Sequence, residues 1–81
     1  MLDVTNPVWE RLSPEVKRAV LDVVMSMAAN DEVVLFTYEG KPRVMLSLVP
    51  TPEQRMTLER VGFTDRHGPS TKRSFLYAPT S

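Results

Sequence analysis

Residues 13–50 read SPEVKRAVLDVVMSMAANDEVVLFTYEGKPRVMLSLVP, and residues 51–53 then repeat the opening as TPE. Ser13-Pro14-Glu15 and Thr51-Pro52-Glu53 are one helix start written twice. Ser or Thr at the N-cap accepts from an otherwise unpaired backbone N–H, Pro at the first helical position gives up no needed donor, and Glu faces the positive end of the helix dipole. A helical run follows each copy, and then strand-like segments. From Pro14 to about Ala29, Val16, Ala19, Val20, Val23, Val24 and Met27 recur at helical spacing. Leu21, Met25 and Ala28 add apolar flanks, so this helix is expected to be buried on more than one side.

Val33–Tyr38 and Arg43–Val49 are rich in β-branched, aromatic and aliphatic residues, and Glu39-Gly40-Lys41 reads as the turn between them. Pro42 starts the second strand, where a missing N–H costs least. Alternation sets Val34, Phe36 and Tyr38 on one face and Val33, Leu35 and Thr37 on the other. Both faces are expected to be at least half buried. The second helix runs from Pro52 to about Val61 with Met56, Leu58 and Val61 facing the core and Gly62 as its C-cap. Phe63 to about Arg66 and Arg73–Ala78 form a second hairpin around a polar loop at residues 67–72. Upstream, Val8, Trp9 and Leu12 read as a short packed turn behind Pro7, with the lone Trp a lid on the core. The fold expected is α+β in the order α-β-β-α-β-β: a four-stranded, mainly antiparallel sheet packed with two helices, one domain over residues 1–81. An offset of 38 also superposes Lys17 on Arg55, Val20 on Leu58 and Val23 on Val61, as a duplicated unit would, but a common helix start used twice is the stronger explanation, since two repeats fall short of a solenoid.

Composition narrows the function classes. Eighty-one residues allow one small core, of roughly 3–5 kcal/mol, so outside support such as self-association is expected. Cys is absent, which excludes disulfides and thiolate metal sites and fits a reducing compartment. The opening residues carry no signal-peptide pattern and no run approaches a membrane span, so a cytoplasmic location is expected. A net charge of +0 argues against generic polyanion binding. The charge is uneven, however, with a basic excess after residue 50.

Chemistry-bearing residues are sparse. His67 is the one histidine, with Asp65, Ser70 and Ser74 near it in sequence, but triad members normally converge from separate elements and no Gly-x-Ser-x-Gly elbow exists. A solvated loop histidine is the expectation. Gly68-Pro69-Ser70-Thr71-Lys72 lacks phosphate-loop spacing, and Asp31-Glu32 has no second carboxylate pair. No catalytic residue, metal ligand or cofactor is therefore expected, and the chain reads as a non-enzyme. Two binding surfaces are candidates. Leu21, Met25 and Ala28 form a Met-containing flank suited to a protein partner or a second copy, unless the core simply wraps the helix. Arg60, Arg66, Lys72 and Arg73, with Phe75 and Tyr77 nearby, could meet an anionic partner such as nucleic acid, unless the aromatics face the core.

The apolar helix leading into Glu32-Val33-Val34-Leu35, then Gly40-Lys41-Pro42 and Leu48-Val49-Pro50, resembles the helix-hairpin segment of Phd/YefM-type antitoxins over residues 21–50. That resemblance implies a dimeric DNA-binding antitoxin or repressor, although a second hairpin stands where the family continues into a toxin-binding tail. The leading expectation is a small inhibitor or regulator acting by protein–protein interaction. Its small size without a catalytic set matches, by analogy of type alone, phage or mobile-element inhibitors such as anti-CRISPR-type proteins.

Overall fold

The computed structural model describes residues 2–66 and 72–78. Helix α1 covers Pro7–Glu10, α2 Pro14–Val24 and α3 Pro52–Arg60; strands β1, β2, β3 and β4 cover Glu32–Tyr38, Lys41–Leu48, Phe63–Arg66 and Arg73–Tyr77. The strands form one antiparallel sheet in the order β1-β2-β4-β3. This is the expected α+β arrangement, with a short third helix added. Exchanging the two helix–hairpin units maps that strand order onto itself, which is the symmetry a duplicated unit would produce.

All three helices start with the same device. Asn6, Ser13 and Thr51 are extended N-caps whose side chains accept from Val8, Val16 and Gln54 N–H, and Pro7, Pro14 and Pro52 follow them. The turn expected at Val8–Leu12 is thus largely helical, because Asn6-Pro7 repeats the start signal without a following Glu. Helix α2 is shorter than its apolar pattern. After Val24 the bonds tighten to three-residue spacing, Ser26 N–H to Val23 O at 3.0 Å and Met27 N–H to Val24 O at 3.2 Å, while the Ser26 hydroxyl also donates to Val23 O. The hydroxyl competes for the carbonyl that would extend the helix. Asp31 then closes the turn by accepting from Ala28 N–H at 2.8 Å.

The first hairpin closes on a two-residue loop, Glu39-Gly40, with φ of +53° and +77° and Tyr38 paired to Lys41. Two consecutive positive φ values belong to the tight type I′ hairpin, and Lys41 is therefore the first strand residue rather than part of the turn. Thr37↔Pro42 is the next pair, and β4 reaches only as far as Tyr77 opposite Val44, so the missing Pro42 N–H interrupts no rung.

The core lies on one side of the sheet. Val44, Leu46 and Leu48 of β2 and Phe75 of β4 meet Trp9 and Leu12, Val16, Val20 and Val23 of α2, Leu58 of α3 and Phe63 of β3. Contrary to expectation, α2 is buried on this side alone: Leu21 is 42% and Met25 87% exposed. Met56 is also outside the core, at 72% exposure. Residues two positions apart in a helix lie about 200° apart around its axis, so Met56 and Leu58 cannot share a face. Gln54, one turn before Leu58, takes the inner position instead.

Gln54 is the one buried polar side chain among the described residues, and its bonds account for it. Its Oε1 accepts from Thr51 N–H at 2.8 Å while Thr51 Oγ1 accepts from Gln54 N–H at 3.1 Å, a reciprocal capping box. Its Nε2 donates to Ser26 Oγ at 2.8 Å, joining the start of α3 to the end of α2. Removing this amide should strand both Thr51 N–H and the Ser26 end of the network. Gln54→Ala is expected to cost about 1–3 kcal/mol in urea denaturation, and an unchanged midpoint would show that the junction contributes nothing.

Candidate protein-binding face

A sheet has two faces, and the helices cover only one. Trp9 of α1, Val16, Val20 and Val23 of α2 and Leu58 of α3 lie in the cluster with Val44, Leu46 and Phe75, and none of Val34, Phe36, Met45 and Leu76 joins it. The register builds the uncovered face row by row. Val34, Met45, Leu76 and Thr64 lie side by side across all four strands. Phe36 with Arg43, and Tyr38 with Lys41, continue it toward the hairpin tip. Toward the opposite end lies a polar row, Glu32, Ser47, Ser74 and Arg66.

The result is an apolar band, Val34, Phe36, Met45 and Leu76, inside a polar frame. These four are partly buried, and Tyr38 at the end is 59% exposed. The frame carries Lys41, Arg43 and Arg66 against one carboxylate, Glu32. A contiguous apolar band with a charged rim is the surface chemistry of an interaction site, whereas a scattered apolar residue is not.

The residues singled out from sequence are less well gathered. Leu21 and Met25 sit one turn apart on the outer side of α2, opposite Val16, Val20 and Val23. Ala28 is exposed but lies past the end of that helix, in the turn held by Asp31, so the three form no continuous helical stripe. Ala28 instead borders a groove of about 340 Å³ with Leu2, Val24, Met27 and Val33.

The four basic residues point to different places. Arg60 is exposed at the end of α3, beside a groove of about 310 Å³ that it shares with Glu15, Arg18 and Asp22 of α2. Lys72 donates from Nζ to Asn30 O at 2.9 Å. Arg66 pairs with Ser74 on the uncovered face, and Arg73, one residue away from Ser74, is on the core side. There Arg73 Nη1 lies 3.6 Å from Asp65 Oδ2, which takes a closer bond from Arg55 Nη1 at 2.6 Å. The Arg55 guanidinium stands 5.8 Å from the Phe75 ring centroid, so this group fastens α3 to the sheet. Each partly exposed pair is worth about 1 kcal/mol or less.

Asp65 is thus engaged by arginines. His67 and Ser70, with the rest of the loop to Thr71, lie outside the described residues. Among the described residues, no group of three His, Asp or Glu side chains could hold a metal ion, and no helix is long and apolar enough to cross a membrane. Compared with known proteins, the chain matches no family model, no curated protein and no solved structure.

The uncovered face has a testable energetic signature. Phe36→Lys and Met45→Lys should each change stability by no more than roughly 0.5–1 kcal/mol, because their side chains meet no second layer. Leu46→Ala, one residue along β2 but fully buried, should cost about 2–5 kcal/mol. Thermal melts of the three variants measure the contrast, and a Met45→Lys loss as large as that of Leu46→Ala would mean that the face is covered.

Proposed function

We propose that this protein is a small non-catalytic inhibitor or regulator that works by docking its uncovered sheet face on a partner protein. The observation that carries this reading is the cross-strand band Val34, Met45 and Leu76, extended by Phe36 and left without a helix. Burying such a band stabilises a complex by removing apolar area from water, and Phe36 and Met45 supply an aromatic and an adaptable side chain of the types enriched in interface cores. The rim states what the partner offers. Three bases against one acid around the band fit a protein surface with an apolar centre bordered by carboxylates. Aromatic bases stacking along a single strand fit less well, since Phe36 and Tyr38 both stand on an edge strand and the middle strands present Met45 and Leu76 there.

The experiment compares capture from a lysate of the source organism by the native chain, a Phe36→Lys/Met45→Lys variant and a Met25→Lys variant, with captured proteins identified by mass spectrometry. The reading expects a defined acidic-surfaced partner that is lost with the sheet-face variant, retained by Met25→Lys, and rebound by the purified native chain. Loss with Met25→Lys instead would move the interface to the outer side of α2. Salt-sensitive, sequence-selective binding of duplex DNA by the purified chain would replace the reading with the antitoxin or repressor alternative.

A further inference from the structure

The two edges of the sheet differ in kind. β3 is four residues long, contains Asp65 and Arg66, and is tied to α3 through Arg55. β1 is seven residues long, pairs with β2 without a bulge, and has no Pro, Gly or charge from Val33 to Tyr38. Short length, charge, proline and bulges are the devices that keep a sheet edge from pairing with another strand. β3 carries the first two, while β1 carries only a terminal charge, Glu32.

The hairpin fixes which backbone groups of β1 face outward. A two-residue hairpin closes on a pair that exchanges both hydrogen bonds, here Tyr38↔Lys41, and such pairs alternate along an antiparallel ladder. Phe36 and Val34 therefore bond to β2, and the N–H and C=O of Val33, Leu35 and Thr37 point to the open edge. No hydrogen bond from a loop or side chain among the described residues reaches that edge; Arg11 Nη2 to Gly40 O and Lys72 Nζ to Asn30 O lie beyond the two ends of the strand.

We propose that two copies of the chain pair through β1, antiparallel about a two-fold axis at Leu35, so that their sheets become one. A second copy is the occupant because the strand complements itself in this register. Leu35 then exchanges hydrogen bonds with Leu35 of the second copy, and Val33 with Thr37 of the second copy, which uses all the outward groups. Val34 lies across from Phe36 of the second copy on the uncovered face, a β-branched and aromatic pairing of the kind that stabilises sheets. Glu32, the one charge in the strand, falls opposite Tyr38 of the second copy and away from its own counterpart. An axis at Val34 or Phe36 would aim already bonded groups at each other, and an axis at Val33 or Thr37 would shorten the overlap. The same two-fold keeps both cores on one side, with α1, which packs over β1 and β2, facing its copy. It also doubles the apolar band available to a partner protein. An isologous contact of this kind closes at two copies and leaves each β3 edge outermost.

The test is the oligomeric state of the full chain by sedimentation equilibrium and light scattering, with amide hydrogen exchange read at low and high concentration. A dimer is expected, with exchange at Val33, Leu35 and Thr37 slowing by roughly tenfold or more as it forms. Thr37 is exposed and its N–H faces outward, so Thr37→Pro removes a donor from the seam without removing a bond to β2. That variant should weaken the dimer by at least about tenfold and leave the monomer's circular dichroism unchanged. Should it fail to fold, Thr37→Lys, which places a solvated charge at the seam, carries the same expectation. A monomer at millimolar concentration would overturn the proposal, and so would a dimer unaffected by the folded variant with these amides still exchanging freely.

Discussion

The pairing of β2 with β4 is the contact on which the rest of the molecule depends. Each helix–hairpin unit is a local piece of chain that cannot bury its own apolar face, since a lone hairpin is marginal in water. Setting Leu46 against Phe75, both without solvent contact, joins the two hairpins through their second strands. That single antiparallel seam makes one sheet from two hairpins and brings α2 and α3 to the same side of it. The Gln54–Ser26 bond and the Arg55–Asp65 pair then fasten the helices to each other and to the sheet. Both act across elements already placed by the seam.

One-sided cover follows from size. Three helices totalling roughly seven turns are enough to roof four short strands once, and the core they make is the cluster that includes Trp9 and Phe75. The other face keeps its apolar band, and none of the three helices lies over it. A sequence with no use for that face would carry polar residues at Val34, Phe36, Met45 and Leu76, as it does at Ser47, Thr64 and Ser74 of the same face. The mixture of an apolar band and a polar frame is what gives the face its reading as a binding surface.

Several features were legible residue by residue. Ser13-Pro14-Glu15 and Thr51-Pro52-Glu53 marked two helix starts to the residue, and Glu39-Gly40-Lys41 marked the hairpin turn one residue too long, since Lys41 is already in the strand. The alternation that separated Val34, Phe36 and Tyr38 from Val33, Leu35 and Thr37 is the alternation found in β1. Other readings failed for physical reasons. Apolar content overextended α2, since Ser26 can satisfy Val23 O from its own side chain and end the helix early. Met56 was assigned inward by hydrophobicity although its angular position sets it against Leu58. The basic residues looked like one patch because they are close in sequence, yet Arg66 and Arg73 belong to opposite faces of the sheet.

Sequence by itself determined the elements, because caps, prolines, a positive-φ loop and periodicity act over a few residues and need no distant partner. Only the tertiary structure decided which strand face the helices would cover. Both faces of β1 are apolar, and nothing local distinguishes Leu35 from Phe36 as the inward residue. The choice is made where β2 meets β4, since Val44, Leu46 and Leu48 must face the same side as Phe75 and α2 for the core to close. Val34, Phe36, Met45 and Leu76 become a surface as the consequence of that choice.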